Sequence, residues 1–386
     1  LTDAFTIAYR IPNMLRDLFA EGAFSSAFVP TFTKAQLENK EHAKTFMWSM
    51  LVVLLLMTSI ISGIVIIFAE DVVALMTDEV FLQDEVRAHL CVQMVRIMAP
   101  FLTLVSVAAL FMGALNSLKV FFWPAMAPAC FNVVMIASMI FFPSMLIARG
   151  YHPILSLALG VLLGGLVQMA VQVPLIFKHK FGPPKKWFFQ SDYIKSTLNR
   201  LGIGTIGIAA NQINILITTV LATGTVIGAV SWLTYAFRLF QFPVGVLSVS
   251  IAGSNLVHFS DEWKAGHHEK ARSILSSSYR MSWLVIVPAL ALMAALSQQS
   301  VHLVFERGAF TSLDTEQATQ ALRAYLIGLP FYGLFKLFGP TFFSLDRPKV
   351  PVFISVFSIA LNLIFCMLMV PRYGFTILAL GTSLSM

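Results

Sequence analysis

Residues 3–30 read DAFTIAYRIPNMLRDLFAEGAFSSAFVP. The stretch has the length and apolar content of a membrane span, yet it carries Asp3, Arg10, Arg16, Asp17 and Glu21. A charge at mid-bilayer costs about 2.5–3.5 kcal/mol on insertion scales, so such residues face a protein interior or a water-filled cavity. At about 100° per residue, Asp3, Arg10, Asn13, Asp17 and Glu21 fall on one narrow stripe, with Arg16 at its edge. Pro12 is expected to kink the helix and turn Arg16 toward the same side. The opposite side is Phe, Ile, Leu and Ala, suited to lipid or to neighbouring helices. The stretch reads as a cavity-lining helix.

The whole chain agrees with that setting. Its 386 residues are 58% hydrophobic and 12% charged, with a mean hydropathy of +0.80. Soluble domains are nearer 25% charged. The apolar runs are helix-length rather than alternating ten-residue strands, which makes this an all-α polytopic membrane protein. The net charge of +7 invites a nucleic-acid reading, but the excess lies in alternate loops, so no nucleic-acid partner is expected. Cys91, Cys130 and Cys366 sit in apolar runs without metal spacing and read as core residues. His152, His258, His267 and His268 lie in loops or at span ends, also without metal spacing. No phosphate-binding loop, nucleophile elbow or zinc motif occurs, so the chain reads as no enzyme, with no metal and no cofactor.

The spans read at 2–33, 45–69, 88–115, 121–142, 153–177, 197–222, 226–256, 277–299, 319–344 and 350–371, with the start of another at 374–386. One set of alternate loops holds sixteen Lys and Arg, from Lys34 to Lys349. The other holds four: Arg87, Arg149, Arg307 and Arg372. The first set is cytoplasmic by the positive-inside rule. The chain also repeats itself. At an offset of 230, Pro100, Phe101, Lys119, Val120 and Asn132 meet Pro330, Phe331, Lys349, Val350 and Asn362. At an offset of 228, Thr6 to Arg10 (TIAYR) meets Thr234 to Arg238 (TYAFR). The expected organisation is two pseudo-symmetric six-helix halves in parallel repeat: residues 1–178, a basic cytoplasmic linker at 179–196, and residues 197–386. By the repeat, span 197–222 maps to a helix before residue 1 and span 153–177 to the fragment at 374–386. The chain, which opens at Leu1 inside a span without a signal-peptide pattern, is thus expected to be truncated at both ends. Parallel repeats about the membrane normal are a transporter architecture, with substrate near the midplane between halves.

Arg238 is the repeat mate of Arg10. A cavity carrying Arg10, Arg16 and Arg238 would attract a polyanion, because the planar guanidinium fork gives bidentate, charge-assisted bonds to phosphate. The alternative is that these arginines neutralise Asp3, Asp17 and Glu21 and hold helices together. Arg96 and Arg323 are expected to snorkel to the outer interface, and Lys336 lies deeper. Asn132 and Asn362 are expected to hydrogen-bond neighbouring helices. FGPPKKWFFQSDYIK (181–195) suits an interfacial segment on an anionic leaflet. VHLVFERGAFTSLDTEQ (301–317) reads as a short amphipathic segment, a turn at Gly308, and a helix start capped by Thr311 with Asp314 three residues on.

Residues 2–30, with YAFRLFQFPVGVL (235–247) and FERGAFTSLDTEQATQAL (305–322), resemble the signatures of the MurJ/MviN family, the lipid II flippases of the MOP exporter superfamily. The resemblance runs over essentially the whole chain. It implies a fourteen-helix MOP/MATE-like fold, of which this chain holds the second helix to part of the twelfth. It also implies alternating-access export of lipid II, the undecaprenyl-diphosphate-linked peptidoglycan precursor, across a bacterial inner membrane. In that family a helix-two and a helix-eight arginine line the central cavity and are needed for function; they match Arg16 and Arg238. Asp3, Asn13 and Glu21 match further polar positions. The family's helix-one arginines have no counterpart here. Asp17 and Phe237 stand where relatives carry a basic and an acidic residue, so the local ion pairing is expected to be rewired. Of the sodium site described for some members, Asn362 alone has a match. The implied partners are lipid II, membrane lipids, and a coupling ion or the membrane potential. Rival readings are an exporter of O-antigen-type lipid-linked sugars, a MATE-like antiporter, and a non-transporting scaffold for cell-wall enzymes.

Overall fold

The structure is a computed structural model. It describes the chain except residues 1, 20–22, 185–186, 188–191, 244, 246–257, 346 and 348, and the side chains of 18–19, 23, 25–26, 203–211, 339–340 and 343–344. Glu21 therefore lies outside the described residues.

All described elements are helices. The first unit holds α1 (Thr2–Phe19), α2 (Ala23–Glu38), α3 (Lys40–Ile67), α4 (Ala69–Met76), α5 (Glu79–Leu82), α6 (Glu85–Met98), α7 (Phe101–Ser117), α8 (Phe122–Ile147), α9 (Leu155–Ala170) and α10 (Val173–Lys178). Then come α11 (Asp192–Thr223), α12 (Ala229–Pro243), α13 (His268–Ala295), α14 (Ser297–Phe305), α15 (Ser312–Leu326), α16 (Leu329–Ser344), α17 (Lys349–Tyr373) and α18 (Thr376–Leu384). The chain divides into two compact units, Leu1–Ile213 and Asn214–Met386. The division falls inside the continuous α11, so it marks no linker.

Local chemistry explains the boundaries. Asn39 caps α3 by accepting from the Glu41 amide at 2.8 Å, and the 28-residue helix that follows is apolar enough to cross a bilayer. Pro100 interrupts the ladder between α6 and α7, which together form one span, Glu85–Ser117. Among the described residues, Phe122–Ile147, Leu155–Lys178, His268–Ala295 and Lys349–Tyr373 complete six helices long and apolar enough to cross a membrane. Ser312–Leu326 and Leu329–Phe338 make a seventh if counted together, bent by 48°. The charged α1 is absent from this set because it is amphipathic rather than apolar throughout.

The stretch 2–33, expected as one span, is helical throughout its described residues, which α1 and α2 cover; residues 20–22 between them lie outside the description. α1 contains Pro12 within its helical run. The ring, buried in the helix flank, is accommodated as part of the packed surface.

The repeat appears in the packing of each unit taken by itself. In the first, α1 lies on α6, α6 on α9, α3 beside α7, α4 against α6 and α8 along α9. In the second, α12 lies on α15, α15 on α18, α13 beside α16, α14 against α15 and α17 along α18. Repeat mates match at the residue level. Ala8 and Ala236 are both fully buried. The Thr6 hydroxyl donates to the Thr2 carbonyl at 2.9 Å, and Thr234 to Val230 at 2.7 Å. α9 meets α7 and α8 through Gly164 and Gly165, where an added Cβ would stand 2.7 Å from the Phe131 ring and 2.5 Å from the Phe101 ring.

Candidate functional site

α1 is the most amphipathic of the longer described helices, and α12 the next. α1 buries Ala4, Ile7, Ala8 and Ile11. At 100° per residue these centre on one side, and Arg10, Asn13 and Asp17 centre on roughly the opposite one, each half-exposed. Arg16 lies between the two, also half-exposed. Its Nη2 donates to Asp17 Oδ1 at 3.2 Å, and Gln212 Nε2 donates to Asp17 Oδ2 at 3.4 Å. Asp17, which follows Arg16 in sequence, is thus a partner of that guanidinium. Asp3, at the edge of the stripe, is buried, at 6% exposure.

α12 has the same construction. It buries Ala229, Trp232, Leu233, Ala236 and Phe240, and its opposite face carries Arg238 and Gln241, both exposed. Phe237 turns sideways, stacked on Phe240 and against Tyr325. An aromatic there fills a gap between α12 and α15 rather than bearing charge.

The FERGAF segment before α15 is a brace for α12. Tyr235 packs on Phe305 and Phe310, with ring centroids 4.8 and 5.5 Å apart. Gly308 takes φ of 63°, as a turn there requires. Thr311 and Asp314 form the expected capping box, and Trp232 Nε1 donates to Asp314 Oδ1 at 2.8 Å. The Glu306 carboxylate accepts from Thr315 Oγ1 at 2.5 Å and faces His302 Nδ1 at 2.8 Å. These bonds, Thr315 first, hold its carboxyl below the usual range.

The other polar residues that the sequence singled out have defined surroundings. Arg96 and Arg323 are both exposed, and each holds a partner. Arg96 pairs with Glu70 at 3.1 Å, and Arg323 Nε donates to Ser297 Oγ at 3.0 Å. The four positions match at an offset of 227, so each unit ties its short outer helix to the following span in the same way. Arg87, counted among loop charges, is buried; it binds Asp84 at 2.8 Å and stacks over Phe81. Lys336 lies 5.2 Å from the centre of the Tyr332 ring. Asn362 bonds a neighbouring helix as expected, donating to Asn214 Oδ1 at 3.2 Å, and accepts from Cys366. Asn132 instead is exposed on α8. Phe181, expected in the membrane interface, is buried below Trp48, whose Nε1 donates to its carbonyl at 2.7 Å.

Two units built alike, each setting an amphipathic cationic helix among apolar spans, define a polytopic all-helical membrane fold with an internal repeat. An inward-facing multidrug resistance MATE family transporter of the MOP superfamily aligns with a TM-score of 0.73 at 13% identity, over 99% of this chain and 87% of that one, a likeness of fold alone. A structure of lipid II flippase MurJ in an inward closed conformation aligns with a TM-score of 0.85 at 25% identity, over 100% of this chain and 78% of that one. A probable lipid II flippase MurJ of Buchnera aphidicola subsp. Acyrthosiphon pisum (strain APS) is 30% identical over 365 residues, 94% of this chain and 70% of the relative. One of Rhizobium meliloti (strain 1021) is 31% identical over 382 residues, 96% of this chain and 69% of the relative. The family model described as lipid II flippase MurJ matches residues 1–386, and the chain belongs to the MurJ family. That is a family of transporters rather than of catalytic enzymes, and with the six apolar spans it makes this a multi-pass protein of the bacterial inner membrane.

Proposed function

We propose that this protein translocates lipid II across the inner membrane by alternating access. The cationic faces of α1 and α12 receive the diphosphate in a central cavity while the lipid tail stays in the bilayer. Family membership supports lipid II as the substrate. The observation that carries the site is the shared design of α1 and α12. Each buries an apolar face in its own unit and carries arginine off that face, half-exposed Arg10 with Arg16 between the faces on α1, and exposed Arg238 on α12. An arginine away from the packed apolar face of a membrane helix is costly against lipid and favourable against a phosphate in a water-filled cavity. In this reading Arg16 and Arg238 grip the diphosphate, Arg10 and Asn13 add contacts, and Asp3, Asp17 and Glu21 support the arginines electrostatically. Asp17 keeps Arg16 oriented until substrate arrives. Rocking of the two halves, biased by membrane potential or a coupling ion, moves the head group across.

Binding of lipid II to the purified protein tests the site, with undecaprenyl diphosphate as competitor. Arg16→Ala and Arg238→Ala are each expected to weaken binding by about 10- to 100-fold, the worth of one charge-assisted hydrogen-bonded contact. Arg16→Lys keeps the charge but not the fork and is expected to recover only part of that loss. Wild-type affinity in both alanine variants would refute the site.

A further inference from the structure

We propose that the rim of the first unit formed by the α7–α8 turn and the end of α10 binds the headgroups of anionic phospholipids in the inner leaflet. The starting observation is conformational. Among the described residues, the non-glycine positions with positive φ are Lys119 (62°) and Lys180 (63°). L side chains rarely adopt this left-handed region. Both lysines stand just past a helix end, inside the same closure. The Val120 amide donates to Leu115 O at 2.9 Å and Lys119 to Asn116 O at 3.0 Å. The Phe181 amide donates to Ile176 O at 3.0 Å and Lys180 to Phe177 O at 2.9 Å.

The far end of α8 shows what this closure ordinarily takes. There the Tyr151 amide donates to Leu146 O at 2.9 Å and Gly150 to Ile147 O at 3.0 Å, with Gly150 at φ 77°. Glycine is the favoured residue at such a cap. A cation gains from the helix dipole at either end of the membrane alike. The dipole therefore does not explain lysine on one side of α8 and glycine on the other; the side chain needs a partner on its own side.

The surroundings indicate which partner. Lys119, Lys178 and Lys180 are exposed and make no ion pair among the described residues. Exposed rings border them: Phe121 at 61%, Phe122 at 67%, Trp123 at 49% and Phe177 at 51%. α10 packs on α7 and α9, so both turns occupy one end of one packed layer, on the face that the lysine count assigns to the cytoplasm. The turn bearing Lys180 is fixed by buried Phe181, held by Trp48 and lying 5.4 Å from Lys40 Nζ. Ammonium groups on rigid turns beside exposed aromatics match a lipid phosphate above its acyl chains.

The test is thermal unfolding of the whole protein in neutral detergent, titrated with phosphatidylglycerol, phosphatidylcholine or inorganic phosphate. Wild type is expected to gain stability from phosphatidylglycerol beyond phosphatidylcholine, and none from phosphate. Lys119→Gly with Lys180→Gly should raise the melting temperature in detergent alone, by roughly 2 °C, because glycine relieves the left-handed backbone. The same variant should weaken the response to phosphatidylglycerol, by roughly fivefold in half-saturating lipid per lysine. Lys119→Gln with Lys180→Gln should lose the lipid response without the gain in detergent. An undiminished phosphatidylglycerol response in the glycine variant overturns the proposal, and so does an equal response to inorganic phosphate.

Discussion

Arg16 and Asp17 are neighbours in sequence and partners in space, at 3.2 Å. Both are part-exposed, so the pair adds little stability. Glu306 differs, because its hydrogen bonds close a loop. Its folded pKa is lowered from 4.5 by Thr315 and His302. A depressed carboxylate pKa contributes stability above the unfolded value and loses it as pH falls through the folded one. Below about pH 4.5 the 302–315 segment is therefore expected to loosen, seen as faster amide hydrogen exchange there. Glu306→Gln should show the faster exchange already at pH 7 and no further change on acidification; wild-type protection at pH 7 would contradict the role. At this scale the sequence disclosed what is local. The Thr311–Asp314 cap and the Gly308 turn carry fixed spacings. The Trp232–Asp314 bond carries none, since its partners are 82 residues apart. Arg87 looked like a loop charge because nothing in its neighbourhood announces burial over Phe81.

Among the elements, α1 and α12 were legible because a 3.6-residue period separates their charges from their apolar face. Contacts between helices depend on small residues that a hydropathy pattern does not rank. Gly165→Leu puts atoms into the Phe101 ring and is expected to destabilise by about 1–3 kcal/mol. The check is the melting temperature of the solubilised protein. Gly63 of α3 has nothing within 4 Å of an added Cβ, so Gly63→Ala should match or slightly exceed wild type. Equal stability of both variants would mean that α9 does not pack on α7 this closely.

Across the molecule, the repeat is the feature that sequence and structure share most fully. Offsets near 228 placed Arg238 opposite Arg10 in the pattern, and each unit packs its counterpart helices in the same order. The matching Arg96–Glu70 and Arg323–Ser297 ties went unseen, because one acid became a serine and the similarity exists only in space. A fold built twice gives each unit its own cationic helix, α1 in one and α12 in the other. The measurement that tests their proposed role most directly uses cells depleted of their native lipid II flippase and carrying this protein at matched membrane levels. Externally accessible lipid II is scored with growth. Wild type is expected to restore both, and Arg16→Ala and Arg238→Ala to restore neither. Full rescue by both alanine variants would make the arginines structural and remove the proposed path for the diphosphate.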